Sequence, residues 1–297
     1  MRKMVFILTL FGVVFLSYSD QANEGSPGGW DVSFKSNLSV SLNAYSDNWI
    51  GRDVGAFTWV LRNDISAEKE FSEWTRNRTN LILMFGQTSL QDRETKVWAP
   101  LQKSSDQINI ETIQRFTLGF FTDPFISAGL LSQFVDERDT LLTRYFNPLE
   151  IKGSAGAIRD LYRAERTLLT TRLGFAVRNH YDRDVLLQDN TRDNVFTTDG
   201  GVDVVADFEH TTENEYINIT SRLGIYKALF RIDEEAEGEE GLWRYPDVNW
   251  DSMLGVALTR YLMLGVNFQL LYDRELDSRP RFKHLYTLGV RYALRRS

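Results

Sequence analysis

Charged residues of both signs recur at the polar positions of alternating stretches: Lys35, Arg62, Asp64, Arg78, Glu111, Arg115, Arg172, Arg178, Asp203, Asp207, Glu209, Arg222, Asp251 and Arg291. Acids and guanidinium groups on one face can pair as salt-bridge ladders between neighbouring strands. The same groups around a hollow would line a selective, narrow channel. Glu111 with Arg115, and Arg62 with Asp64, share single stretches. The chain has 3 histidines, and no serine stands with one in a recognisable nucleophile motif. His180 falls on the charged parity near Asp182 and Asp184, whereas His210 and His284 fall on the apolar parity. Glu234, Glu235, Glu237, Glu239 and Glu240 crowd one connection, where carboxylates either hold a divalent cation or repel one another in water.

The elements that must carry these residues have a period of two. Trp30, Val32, Phe34, Leu38, Val40, Leu42 and Ala44 alternate with Asp31, Ser33, Lys35, Asn37, Ser39, Ser41 and Asn43. Such alternation over 15 residues is a long strand. It returns around residues 57–68, 78–85, 108–120, 128–134, 169–178, 202–209, 217–229, 248–259, 262–273 and 282–294, with a weaker sixth stretch at 149–157. This predicts about twelve strands. Short helices are possible over 139–145 and 160–166. Connections alternate short and long along the chain, as the turns and outer loops of membrane barrels do. The longest, with Trp98, Pro100 and Lys103, is a candidate to fold inward as a constriction.

Alternation does not say which face is covered. Strand length, loop parity and aromatic residues near strand ends (Trp30, Phe34, Trp59, Phe120, Phe125, Phe134, Tyr272 and Tyr292) favour lipid on the apolar side and charge in a lumen. The expected fold is all-β: a transmembrane antiparallel up-and-down β-barrel. A secreted β-sandwich or solenoid is the alternative, and no fixed-period repeat supports the solenoid.

Composition agrees. The 297 residues are 42% hydrophobic and 25% charged, with 13% aromatic residues and no cysteine. That excludes a disulfide scaffold and thiolate zinc sites. The net charge of −7 argues against nucleic-acid binding. Arg2 and Lys3, the apolar run Met4 to Leu16, and Ser17 to Ser19 read as a secretory signal peptide over residues 1–19. Residues 20–29 form a short periplasmic linker, and 30–297 the barrel. No cofactor, metal or catalytic residue is assigned.

Several short motifs keep a recognisable order: Asn48–Trp49 with Gly51, Trp74, Gly86, Lys103–Ser104 with Asp106, Gln133–Phe134, and Pro148 with Gly153 and Gly156. Val248–Asn249–Trp250, Tyr272–Asp273, and Leu288–Gly289–Val290 with Tyr292 follow. Over most of its length the chain resembles a family of uncharacterised, predicted outer-membrane β-barrel proteins found mainly in Bacteroidetes-type bacteria. The resemblance implies the fold and the cell outer membrane, reached through the periplasm, and implies no substrate. The chain departs from many barrels by ending Leu294–Arg295–Arg296–Ser297 rather than on an aromatic residue. The expected partners are outer-membrane lipids, lipopolysaccharide, the barrel-assembly machinery and small polar solutes. The expected function is a narrow passive pore or transport barrel. A closed structural or surface-interaction barrel is the second reading, and a membrane-embedded hydrolase the third.

Overall fold

The computed structural model describes residues 29–43, 54–139, 141–186, 191–214, 216–232, 241–259 and 262–296. The expected signal peptide and the glutamate-rich loop lie outside them. The strands are β1 (Asp31–Asn43), β2 (Ala56–Ser72), β3 (Thr75–Leu90), β4 (Gln102–Phe116), β5 (Asp123–Ser132), β6 (Val135–Asp136), β7 (Arg144–Tyr145), β8 (Leu149–Ala164), β9 (Thr167–Leu186), β10 (Arg192–Thr211), β11 (Ile217–Ile232), β12 (Asp247–Ala257), β13 (Leu262–Tyr272) and β14 (Arg281–Arg296). Strands β6 and β7 form a small hairpin. The other twelve close one antiparallel barrel, in which β1 pairs with both β2 and β14. Closure leaves no sheet edge with unpaired backbone groups.

Val32 pairs with Arg296, so the chain enters and leaves the barrel at one mouth. Tight connections such as 73–74 and 165–166 lie at this N-terminal mouth. The opposite, loop mouth carries connections such as 91–101 and 133–148. The outward face is apolar and exposed along every wall, for example at Val40, Ile126, Leu173, Val204, Leu254 and Leu288. A closed barrel showing water such a belt would be insoluble, so lipid is its covering.

The interior is not a conventional core. Ile113, Phe125 and Ile158 cluster inside the wall formed by β4, β5 and β8. Phe125 therefore is no girdle aromatic: it points inward and is 3% exposed. It stands opposite Gly156, which stands opposite Gly174. A Cβ on Gly156 would lie 2.2 Å from the Leu173 carbonyl oxygen, and one on Gly174 would lie 3.2 Å from Phe125 Cζ. The two glycines let the wall bend, and the phenyl ring covers the hollow they leave.

Other expectations need correction. Strand β4 ends at Phe116, so Leu118 and Phe120 sit in a turn. Neither proposed helix forms: Asp160–Ala164 extends β8, and Arg144–Tyr145 lies in the hairpin. Each segment has backbone partners in a neighbouring strand, which a lone helical turn would lack. The sole helix among the described residues is one 3-10 turn, Leu242–Arg244. The loop with Trp98 does not enter the lumen. Trp98 bridges Gln91 and lines a surface hollow together with Leu42 and Phe57, both on the outward face.

Candidate functional site: the charged lumen

Twelve strands enclose more space than the eight whose side chains fill a barrel, and less than the sixteen that leave a wide channel. Long, paired side chains occupy this lumen. Glu111 of β4 accepts hydrogen bonds from Arg172 of β9 at 2.9 and 3.3 Å, and from Arg222 of β11 at 2.6 Å. Strands β4 and β11 are five places apart around the ring of twelve, so this pair crosses the hollow. Asp207 of β10 lies 3.6 Å from both guanidinium groups and closes a four-membered belt.

Further pairs lie toward each mouth. Arg78 of β3 meets Glu209 of β10 at 2.7 Å, again five strands away. At the N-terminal mouth Arg115 holds Asp123 at 2.6 Å and Asp160 at 3.0 Å. Lys152 pairs with Asp203 at 2.7 Å. Toward the loop mouth Arg178 pairs with Asp199 at 3.0 Å and Asp247 at 2.8 Å, stacked 3.7 Å over the Tyr226 ring. Arg62 binds Asp64 at 2.9 Å along its own strand and comes within 4.0 Å of Asp251 on β12.

Thus Arg62, Asp64, Arg78, Glu111, Arg115, Arg172, Arg178, Asp203, Asp207, Glu209, Arg222 and Asp251 all take part in the lumen's ion pairs. Lys35 is exposed and stands opposite Asp64 in the strand register. Arg291 stands opposite Asn37, and its side chain is outside the described set. Glu111 and Arg115 are not partners, although they share a strand: each reaches across to other walls. Sequence reading missed Asp123, Lys152, Asp160, Asp199 and Asp247. The small residues Gly153, Ala155, Gly156 and Ala157 dilute the alternation that would have set Lys152 and Asp160 on the charged face.

Beside the charged belt, Asn37, Ser39, Met84, Met253, Asn267 and Gln269, with the charged Arg62, Asp251 and Lys283, line a cavity of about 40 Å³, room for a few waters. Water reaches the charges as well. The side chains of Arg222, Glu209 and Asp251 are 41%, 45% and 40% exposed, whereas Arg172 is 3% exposed.

No protein-family model matches the chain, and no curated protein matches it. Among solved structures it is similar to an outer-membrane channel from Pseudomonas putida F1. The two are 13% identical over 94% of this chain and 100% of that one, with a TM-score of 0.45. It is also similar to the translocator domain of the autotransporter NalP from Neisseria meningitidis (10% identity, 98% of this chain and 97% of that one, TM-score 0.35). A third is OprB from Pseudomonas putida (10% identity, 90% of this chain and 94% of that one, TM-score 0.30).

The hairpin of β6 and β7 is tied down at the loop mouth. Asp136 receives hydrogen bonds from Arg138 and Asn147 and an ion pair from Arg144 at 2.6 Å. Asp182, beyond the membrane part of β9, holds Arg138 at 2.8 Å and Asn147 at 2.7 Å. Asp106 of β4 accepts the backbone N–H groups of Phe134 and Val135. The hairpin is therefore a fixed strap between β4 and β9. Burial opposes ionisation of Asp136, but the hydrogen bonds from Arg138 and Asn147 outweigh it and hold its carboxyl well below the usual carboxylate range. A depressed folded-state pKa stabilises above the unfolded value and is lost as pH falls through the folded one. The strap is thus expected to resist proteolysis at about pH 4, where free carboxylates begin to protonate, and to loosen only in stronger acid. Asp136→Asn, which leaves the buried Arg144 only its longer contact with Asp182 at 3.4 Å and the Arg183 carbonyl oxygen, is expected to expose residues 133–148 to protease at neutral pH. Equal cleavage of both proteins would refute the strap.

The histidines form no catalytic array among the described residues. His180 Nδ1 is 3.6 Å from Glu150, and His210 Nδ1 bonds Thr167 Oγ1 at 2.8 Å across two paired strands. No serine hydroxyl hydrogen-bonds a histidine ring there.

Proposed function

We propose that this chain is an outer-membrane channel, exported by way of its N-terminal leader, that passes small polar solutes through a narrow lumen throttled by cross-lumen ion pairs. The observation that carries the reading is the wetness of the charged interior: Arg222, Glu209 and Asp251 stay two-fifths exposed although they point inward. A barrel serving only as a scaffold would gain more from apolar filling, because each buried charge costs several kcal/mol of lost hydration. Charges of both signs suit polar solutes, which exchange water for them step by step. The lipid-facing belt, the even strand number and the tight turns at the chain-end mouth support the outer-membrane placement. We assign no reaction: among the described residues no serine hydroxyl is paired with a histidine, and the Thr167–His210 pair lies on the outward parity with no third group bonded to it.

The second reading, a closed structural barrel, draws on the burial of Arg172. Single-channel recording in planar bilayers separates the two. The channel reading expects small, discrete conductance steps from the purified chain. Silence from both the natural protein and Glu111→Gln would leave the closed barrel standing.

A further inference from the structure

We propose that the lipid-facing wall carries two binding sites for the phosphate of an anionic phospholipid, at Arg159 and at Lys69, both near the N-terminal mouth. Arg159 stands on the outward face of β8, because its neighbours Ile158 and Asp160 turn into the lumen. Its Nη1 donates to the Phe121 carbonyl oxygen at 2.7 Å, and its guanidinium carbon lies 3.5 Å over the Phe121 ring. Phe120 and Phe121, in the turn between β4 and β5, are both exposed. Lys69, on the outward parity of β2, holds its Nζ 5.6 Å from the Trp30 ring and 5.3 Å from the Phe71 ring. These rings meet edge to face at 6.1 Å.

Two strands of the barrel thus repeat one construction: a cation laid on aromatic rings at the membrane boundary. Among the described residues neither cation meets a carboxylate, unlike the paired arginines of the lumen. Aromatic rings hold a cation at the headgroup level and repay only part of its lost hydration. A phosphate supplies the rest, and the free N–H groups of Arg159 form the planar fork that suits phosphate oxygens. Basic residues at a membrane surface favour anionic over zwitterionic headgroups.

The inference needs the chain to lie in a bilayer and is independent of the state of the lumen. Native mass spectrometry of the full protein, mixed with phosphatidylglycerol or phosphatidylcholine in detergent, tests it. The natural protein is expected to retain phosphatidylglycerol in preference. Arg159→Gln and Lys69→Gln should each lower that retention about fivefold, the worth of one surface cation. Arg159→Lys should restore part of it, and millimolar inorganic phosphate should not displace the lipid. Both glutamine variants should keep the natural conductance, which separates this result from failure of the channel reading. Equal retention by the double variant, no preference over phosphatidylcholine, or displacement by inorganic phosphate would overturn the proposal.

Discussion

Glu111→Ala is expected to raise single-channel conductance several-fold and to shift selectivity toward anions. One carboxylate bridges two guanidinium groups, and one of those bridges spans five of the twelve strands. Without Glu111, Arg172 and Arg222 are like charges sharing only Asp207, at 3.6 Å from each. Arg222 is 41% exposed and swings readily into water, whereas Arg172 is 3% exposed and stays. Arg222 pairs in register with Asp251 of the adjoining strand, which lines the small lumen cavity, so the hollow it leaves opens toward that cavity. Breaking a buried pair costs about 3–5 kcal/mol, and the exposure of Arg222 discounts that to roughly 2 kcal/mol. Glu111→Gln keeps the shape but loses the charge, so its conductance should fall between the two. Bilayer recording with asymmetric salt reads conductance and selectivity together. An unchanged reversal potential with unchanged conductance would show that the belt is not the constriction.

Much of this was legible in the sequence, and the reason is geometric. A side-chain period of two assigns each residue to a face without knowledge of its partners, so the lumen positions of Arg62, Asp207 and Arg222 follow from local pattern alone. The even number of alternating stretches likewise puts both chain ends at one mouth. The pairing inside the lumen follows no local pattern. Glu111 and Arg172 are 61 residues apart, and their meeting depends on the curvature of the closed wall. Curvature in turn rests on residues without a strong signal: Gly156 and Gly174 read as weaknesses in a strand, yet they make the bend. Phe125 was misread for the same cause. An aromatic residue near a strand end resembles a girdle residue until the glycines opposite give its ring a place inside.

That arrangement makes Phe125→Ala the substitution expected to damage the barrel most. The ring is 3% exposed, packs with Ile113 and Ile158, and covers the glycine bend on two neighbouring strands. It also lies 5.7 Å beneath the guanidinium of Arg172, so it supports one end of the charged belt. Truncating a buried phenylalanine removes about 3–5 kcal/mol, through lost burial and the cavity left behind. Little collapse can offset this here, because the wall is held by its hydrogen-bond ladder and no side chain on Gly156 or Gly174 can move in. The cost should appear as a lower melting temperature of the folded band in heat-modifiability gels. Conductance should become noisier, because Arg172 loses its floor. Gly174→Ala in the Phe125→Ala background offers a discriminating companion. Alone, the added methyl meets the ring at 3.2 Å and the Ala155 carbonyl oxygen at 2.6 Å, so it should destabilise. In the double variant the ring contact is gone and the carbonyl contact remains, so the two costs should sum to less than their separate values. Strict additivity would mean that ring and glycine do not share the bend.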